Sequence, residues 1–160
     1  MRHTMLIRLI AAIGASLVLV GAAVAASAIQ TGKYTGFTSQ HPGHSGRVTL
    51  NVAKAGAHGL KVRSLALDWY AKCATGKHYA ATTTVTNVAI SNGKFHAQGS
   101  FSEPVGTTTL TGNFAVKLTG HFPSARKSAG TWSMDVVVTD QSGAVIDTCR
   151  TGALTWSAKH

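Results

Sequence analysis

LKVRSLALDWYAKC, residues 60–73, changes phase in its middle. Leu60 and Val62 share one parity, whereas Leu65, Leu67, Trp69, Ala71 and Cys73 share the other. Successive side chains of an extended strand face opposite sides, so a one-residue change of phase turns every later side chain over. A β-bulge near Arg63–Ser64 absorbs the extra residue and keeps both apolar sets on one buried face. The stretch therefore reads as one long bulged strand, with Cys73 ending it on the same inner face as Trp69.

The same alternation spreads in both directions. Upstream, KYTGFTS (33–39) is a strand, HPGHSG (41–46) a loop, and RVTLNVA (47–53) a strand with Val48, Leu50 and Val52 on one face. Downstream, ATGK (74–77) turns into the Thr-rich strand HYAATTTVTNVAI (78–90), with a kink expected at Asn87. Asn92-Gly93 is a hairpin signal, and FHAQGSF (95–101) returns from it. Alternation then runs from Leu110 to Phe122, PSARKSAG (123–130) reads as a basic loop, and TWSMDVVVTD (131–140) places Trp132, Met134, Val136 and Val138 inward. AVIDTC (144–149) and ALTWSA (153–158) close the chain as strands, the last with Leu154, Trp156 and Ala158 on one face. No segment after residue 30 has the period of a useful helix. Eight or nine short strands with turn signals between them define an all-β domain, a single antiparallel β-barrel or a flattened barrel or sandwich.

A glycine stands two residues before an aromatic six times, as in Gly99/Phe101, Gly112/Phe114 and Gly120/Phe122. Positions i and i+2 share a strand face, so an inward glycine lets the strand bend while the neighbouring ring covers its backbone. That device suits a tightly curved barrel.

The N-terminal residues predict the compartment. Arg2 and Arg8 flank a basic head, residues 9–23 are almost unbroken apolar sequence, and AVAASA (23–28) carries small residues at cleavage spacing. This is the pattern of a secretory signal peptide over residues 1–28, leaving an all-β domain over 29–160 that is secreted or held at the cell surface. Contact with membrane is expected only through that leader before cleavage. Thirteen Lys and Arg remain in the domain against Asp68, Glu103, Asp135, Asp140 and Asp147. Such a balance favours polyanions, an anionic cell-wall polymer among them, without the clustered motifs of specific nucleic-acid recognition.

Outside the cytoplasm thiols oxidise, and two cysteines allow one intramolecular pairing, Cys73 with Cys149. Closing a loop of about 77 residues stabilises a fold by roughly 4–5 kcal/mol on the chain-entropy argument. The spacing around neither cysteine completes a zinc motif.

Taken together, GKYTGFTSQ (32–40), Cys73-x-x-Gly76, SNGKF (91–95), SAGTW (128–132) and the closing Cys149-x-x-Gly152-x-x-x-Trp156-x-Ala158 resemble a recurrent group of small secreted all-β domains common in high-GC Gram-positive bacteria. The resemblance spans almost the whole mature chain. It implies the β fold and the disulfide, and it brings no catalytic residue.

Chemistry has few candidates. His41 and His44 share a loop, and His58, His78, His96 and His121 are scattered; without a neighbouring carboxylate they read as solvated rather than metal-binding. Asp68 and Asp135 fall on outward positions, and Asp147 shares the inward parity of Cys149. No G-x-S-x-G, H-E-x-x-H or G-K-[ST] motif occurs, and no cofactor is expected. Tyr34, Phe37, Tyr70 and Tyr79 could stack on sugars or bases. Tyr70 stands out, since Trp69 takes the inward position and leaves Tyr70 outward beside Lys72 as a binding patch. The resulting expectation is a non-enzymatic exported domain binding an anionic polymer; a small secreted hydrolase and a carrier using the barrel interior are the alternatives.

Overall fold

The change of phase in the middle strand is built as expected. In a computed structural model describing residues 28–57, 59–106 and 108–160, strand β3 (Gly59–Cys73) pairs with β2 (Arg47–Ala55) through Asn51↔Ser64 and then Val52↔Val62. Arg63 is the extra residue, and Val62, Leu65, Leu67, Trp69 and Ala71 all lie buried on one face. On the other edge of β3, strand β4 (His78–Ile90) answers with its own irregularity at Asn87, whose φ is 56°. The leader expected over 1–28 lies outside the described residues except for Ala28, and so does His58.

The remaining strands are β1 (Gly32–Thr38), β5 (Lys94–Pro104), β6 (Thr111–Ser124), β7 (Lys127–Thr139), β8 (Val145–Arg150) and β9 (Leu154–Lys159). All pairings are antiparallel, in the order β4-β3-β2-β1-β9-β7-β6-β5. Setting β8 aside, neighbours in space follow chain order, and β9 closes against β1. The sheet is an up-and-down barrel of eight strands in which β4 and β5 are joined by the Ser91–Lys94 turn. Among the described residues no ladder joins β4 to β5 beyond that turn, and a seam remains.

Strand β8 makes the sheet a ring. The edge of β3 that pairs with β2 as far as Leu67 pairs with β8 at Lys72 and Cys73. The edge of β7 that pairs with β9 from Lys127 to Trp132 pairs with β8 from Asp135 onward. At one end, then, β3 and β7 are separated by three strands, and at the other by one. With strands ~4.8 Å apart, their separation falls from about 19 Å to about 10 Å along the barrel. The sheet has to curl to accommodate this.

At the two forks a backbone group would be left between partners, and side chains fill both places. Gln40 Nε2 donates to the Tyr70 carbonyl at 2.6 Å and Gln40 Oε1 accepts from the Tyr70 N–H at 2.9 Å. On β7 the Met134 N–H donates to Thr151 Oγ1 at 2.9 Å, and the Thr151 N–H donates to the Met134 carbonyl at 3.0 Å. A buried unpaired amide costs about 1–3 kcal/mol, which explains why these two contacts bracket the fork. Cys73 and Cys149 stand directly opposite one another there, disulfide-bonded, with Cα atoms 3.8 Å apart. The disulfide belongs to an oxidising, non-cytoplasmic compartment. Among the described residues no helix is long and apolar enough to cross a membrane.

The glycine device works as expected at one of its six positions, Gly112, and in altered form at Gly120. A side chain at Gly112 would meet the ring of Phe114, and one at Gly120 would meet Phe95 from the adjacent strand rather than Phe122. Gly99 shares the strand face of Phe101 but is exposed, with nothing within 4 Å of where a Cβ would stand. The basic loop expected over 123–130 is shorter than its composition suggests. Ala125 and Arg126 alone connect β6 to β7, and Ser128 is buried, its hydroxyl donating to the His121 carbonyl at 3.0 Å.

Strand β9 is interior to the sheet, with Trp156 3% exposed between β1 and β7. Truncating a core Trp to Ala costs about 3–5 kcal/mol, against a total of about 5–15 kcal/mol for a domain of this size. Trp156→Ala, or truncation after Gly152, should give a protein that melts far lower with the disulfide intact. Thermal unfolding followed by circular dichroism checks this; a melting point within a few degrees of the full chain would contradict the closed sheet.

Candidate functional site

The strand order fixes which residues meet at each end of the barrel. The β2–β3, β4–β5 and β6–β7 turns share one end with the start of β1 and the end of β9. The β3–β4 turn, the β5–β6 loop and β8 share the other.

Charge is divided between these ends. Of the thirteen basic residues in the described chain, Lys33, Lys54, Lys61 and Arg63 lie in the first half on β1 to β3, and Lys94, Arg126, Lys127 and Lys159 join them from β5 to β9. No acidic side chain accompanies these eight. Asp68, Glu103, Asp135, Asp140 and Asp147 all fall in the β8 half, with Arg47, Lys72, Lys77 and Arg150, while Lys117 sits midway. Among the described residues the one ion pair, Arg150 Nε to Asp135 Oδ1 at 3.4 Å, is also in that half. The cations are dispersed along the sequence and concentrated in space because each hairpin of a meander returns to the same end.

The bulge gives this basic end its best-defined feature. Since Val62 and Leu65 both face inward, Arg63 and Ser64 both face outward, next to Asn51 on β2 and Lys33 on β1. They line an open depression of about 460 Å³ with Gly32 and Val52. Asn51 Nδ2 donates to Ser64 Oγ at 2.9 Å, which leaves the Ser64 hydroxyl proton free to donate outward. Beside it Lys61 Nζ donates to Asn87 Oδ1 at 3.2 Å. Lys33, Arg63 and Ser64 bring an ammonium, a guanidinium and a hydroxyl to the lining of the depression, donor types that suit a tetrahedral oxyanion.

The candidates taken from the sequence are distributed otherwise. Tyr70 is outward and half-buried, with Lys72 exposed on the same face. Its ring is stacked by His44 at 3.8 Å and flanked by His78 at 4.9 Å, so it offers an edge and a hydroxyl. His41 and His44 are exposed loop residues, as expected, and His41 in addition stacks on Phe37 at 4.0 Å. Tyr34 is 0% exposed and belongs to the core, its hydroxyl shared between the Gln30 and Ala125 carbonyls at 2.7 and 2.8 Å. Burial pushes its pKa up. Tyr79 lies in the seam.

Three of the acids, Asp68, Asp140 and Asp147, are held as carboxylates. Burial of Asp68 acts to raise its pKa, but hydrogen bonds from Ser45 at 2.5 Å and Thr82 at 2.6 Å, together with the Arg47 charge, outweigh burial and hold it below the usual range. Asp147 stays at the barrel rim instead of entering the core. It accepts from Thr75 Oγ1 at 2.5 Å and from the Thr148 N–H at 2.8 Å, which lowers its pKa. Asp140 is lowered by the Ser142 hydroxyl and turn amides. Although His44, Ser45 and Asp68 are neighbours, Ser45 donates directly to Asp68 while the His44 ring is spent on Tyr70. That arrangement gives no nucleophile–base relay.

No protein-family model, curated protein or solved structure matches this chain.

Depressed folded-state pKa values set the acid response. Their stabilisation is fully present above the unfolded carboxylate pKa of about 3.9 and is lost as pH falls through the lower folded values. The melting temperature should therefore hold down to about pH 5 and drop below about pH 4. Asp68→Asn should melt lower at neutral pH and show a shallower acid drop. Superimposable pH profiles would mean that the Ser45–Asp68–Thr82 contacts contribute nothing.

Proposed function

We propose that this is an exported, non-enzymatic domain that binds an anionic polymer, such as one of the cell wall, through the basic end of its barrel. The observation that carries the reading is the segregation of charge. Eight basic side chains occupy one half without an acidic side chain, and none of them is in an ion pair among the described residues. Polymer phosphates or carboxylates would release their counterions on contact with this end, and binding of that kind weakens steeply with salt. The Lys33–Arg63–Ser64 depression is the contact best suited to a single phosphate group, and the surrounding lysines to its neighbours along a chain. The filled interior, with Trp132, Met134 and Trp156 buried, leaves little room for a ligand inside the closed side of the barrel.

Position can be separated from net charge. Lys33→Glu/Arg63→Glu and Lys72→Glu/Lys77→Glu change the net charge equally at opposite ends. The first pair should weaken binding to polyphosphate by at least about tenfold at low salt, and the second by about twofold or less. Equal losses would reduce the effect to bulk charge. A larger loss from the second pair would place the contact at the Tyr70–Lys72 face. Polyglutamate run in parallel distinguishes phosphate from carboxylate preference.

A further inference from the structure

The seam between β4 and β5 has aromatic banks. On the β3–β4 side Trp69 and Tyr79 stack with centroids 5.7 Å apart, and on the β5–β6 side Phe101 and Phe114 stack at 4.8 Å. The banks touch through Tyr79 and Phe114 at 5.7 Å. Trp69 and Phe114 are buried, each 3% exposed, while Tyr79 and Phe101 are partly buried at the opening. The Trp69 indole N–H is satisfied by Thr83 Oγ1 at 2.8 Å. Beside the rings is a slot of about 220 Å³, bounded by the free edge of β4 from Ala81 to Thr84.

Two independent features point to what would enter. Gly99, two residues before Phe101 and on the same face of β5, is exposed with open space where a side chain would stand, so no side chain from it covers the rings. Glu103 stands at the rim as the only charged residue lining the slot, with no ion-pair partner among the described residues. It lies close enough to Tyr79 that its charge adds to burial in raising the phenol pKa. Partly accessible rings beside an unpaired carboxylate, at the end that holds all five acidic side chains, are complementary to a cation with an apolar shell.

We propose that the seam is a second binding site, for an organic ammonium group, separate from the anion-binding end. The ammonium sits against Tyr79 and Phe101 with Glu103 as its counter-charge, while its apolar shell replaces water over the rings. Glu103 is the one carboxylate lining the slot, and among the described residues no group of three metal-binding side chains lies there, so a simple metal ion fits less well than an organic cation.

Choline and its neutral isostere, in which carbon replaces nitrogen, test the charge requirement directly. Titrations by calorimetry and by amide chemical shifts should show choline binding at least about tenfold more tightly than the isostere. The shifts should centre on Thr83, Gly99, Phe101 and Glu103. Glu103→Gln should bring the two ligands to within about twofold of each other. Phe101→Leu, which keeps an apolar side chain in place, should weaken choline more than the isostere. No binding of choline, equal binding of both ligands by the natural chain, or an undiminished preference in Glu103→Gln would each overturn the proposal. None of these outcomes bears on the basic end, whose residues are left unchanged.

Discussion

The backbone hydrogen bonds along two strand edges hold this structure together. Strand β3 offers one edge first to β2 and then to β8, and β7 offers one edge first to β9 and then to β8. Buried amides and carbonyls have to be paired, so each fork creates one place where a backbone group falls between partners. Gln40 supplies a side-chain amide at the first and Thr151 a hydroxyl and a backbone amide at the second. The Cys73–Cys149 bond ties β8 to β3 at the same level. With β8 held there, three strands converge on one, and the sheet curls into a barrel.

Closure has an electrostatic consequence. An up-and-down barrel returns every hairpin to one of two ends, so residues far apart in sequence collect by end. Lys33, Arg63, Lys94 and Lys127 lie on four different strands and still share a pole, while all five acids take the other. Self-repulsion among eight like charges disfavours the compact state. The core of the barrel and the disulfide offset it. The paired irregularities at Arg63 and Asn87 add a local effect, turning two consecutive residues of β3 outward and forming the depression beside Lys33.

Much of the fold was legible in the residues. The phase change in 60–73 located the bulge at Arg63, the cysteine pair was correct, and the parity of Leu154, Trp156 and Ala158 marked β9 as a core strand. The barrel was legible, but the part of β8 in closing it was not, because β8 is six residues long with a weak pattern, and Val145 and Ile146 remain exposed. Gln40 gave no signal, since a polar residue in a loop looks the same whether or not it completes a strand edge. The candidate site was hidden for a topological reason. Basic residues spread without a block read as a diffuse charge until the strand order places them together. The seam was equally hidden, because Phe101 and Tyr79 carry the alternation of ordinary core residues. Only the missing β4–β5 ladder exposes them.

The central claim is that winding gathers dispersed cations into one binding face. Mapping amide chemical shifts during titration with short polyphosphate at low salt tests it most directly. The account predicts perturbations concentrated on Lys33, Asn51, Arg63, Ser64 and the β6–β7 turn, with the β8 end unaffected. Shifts centred on Lys72, Lys77 and Arg150, or scattered evenly over the barrel, would contradict it.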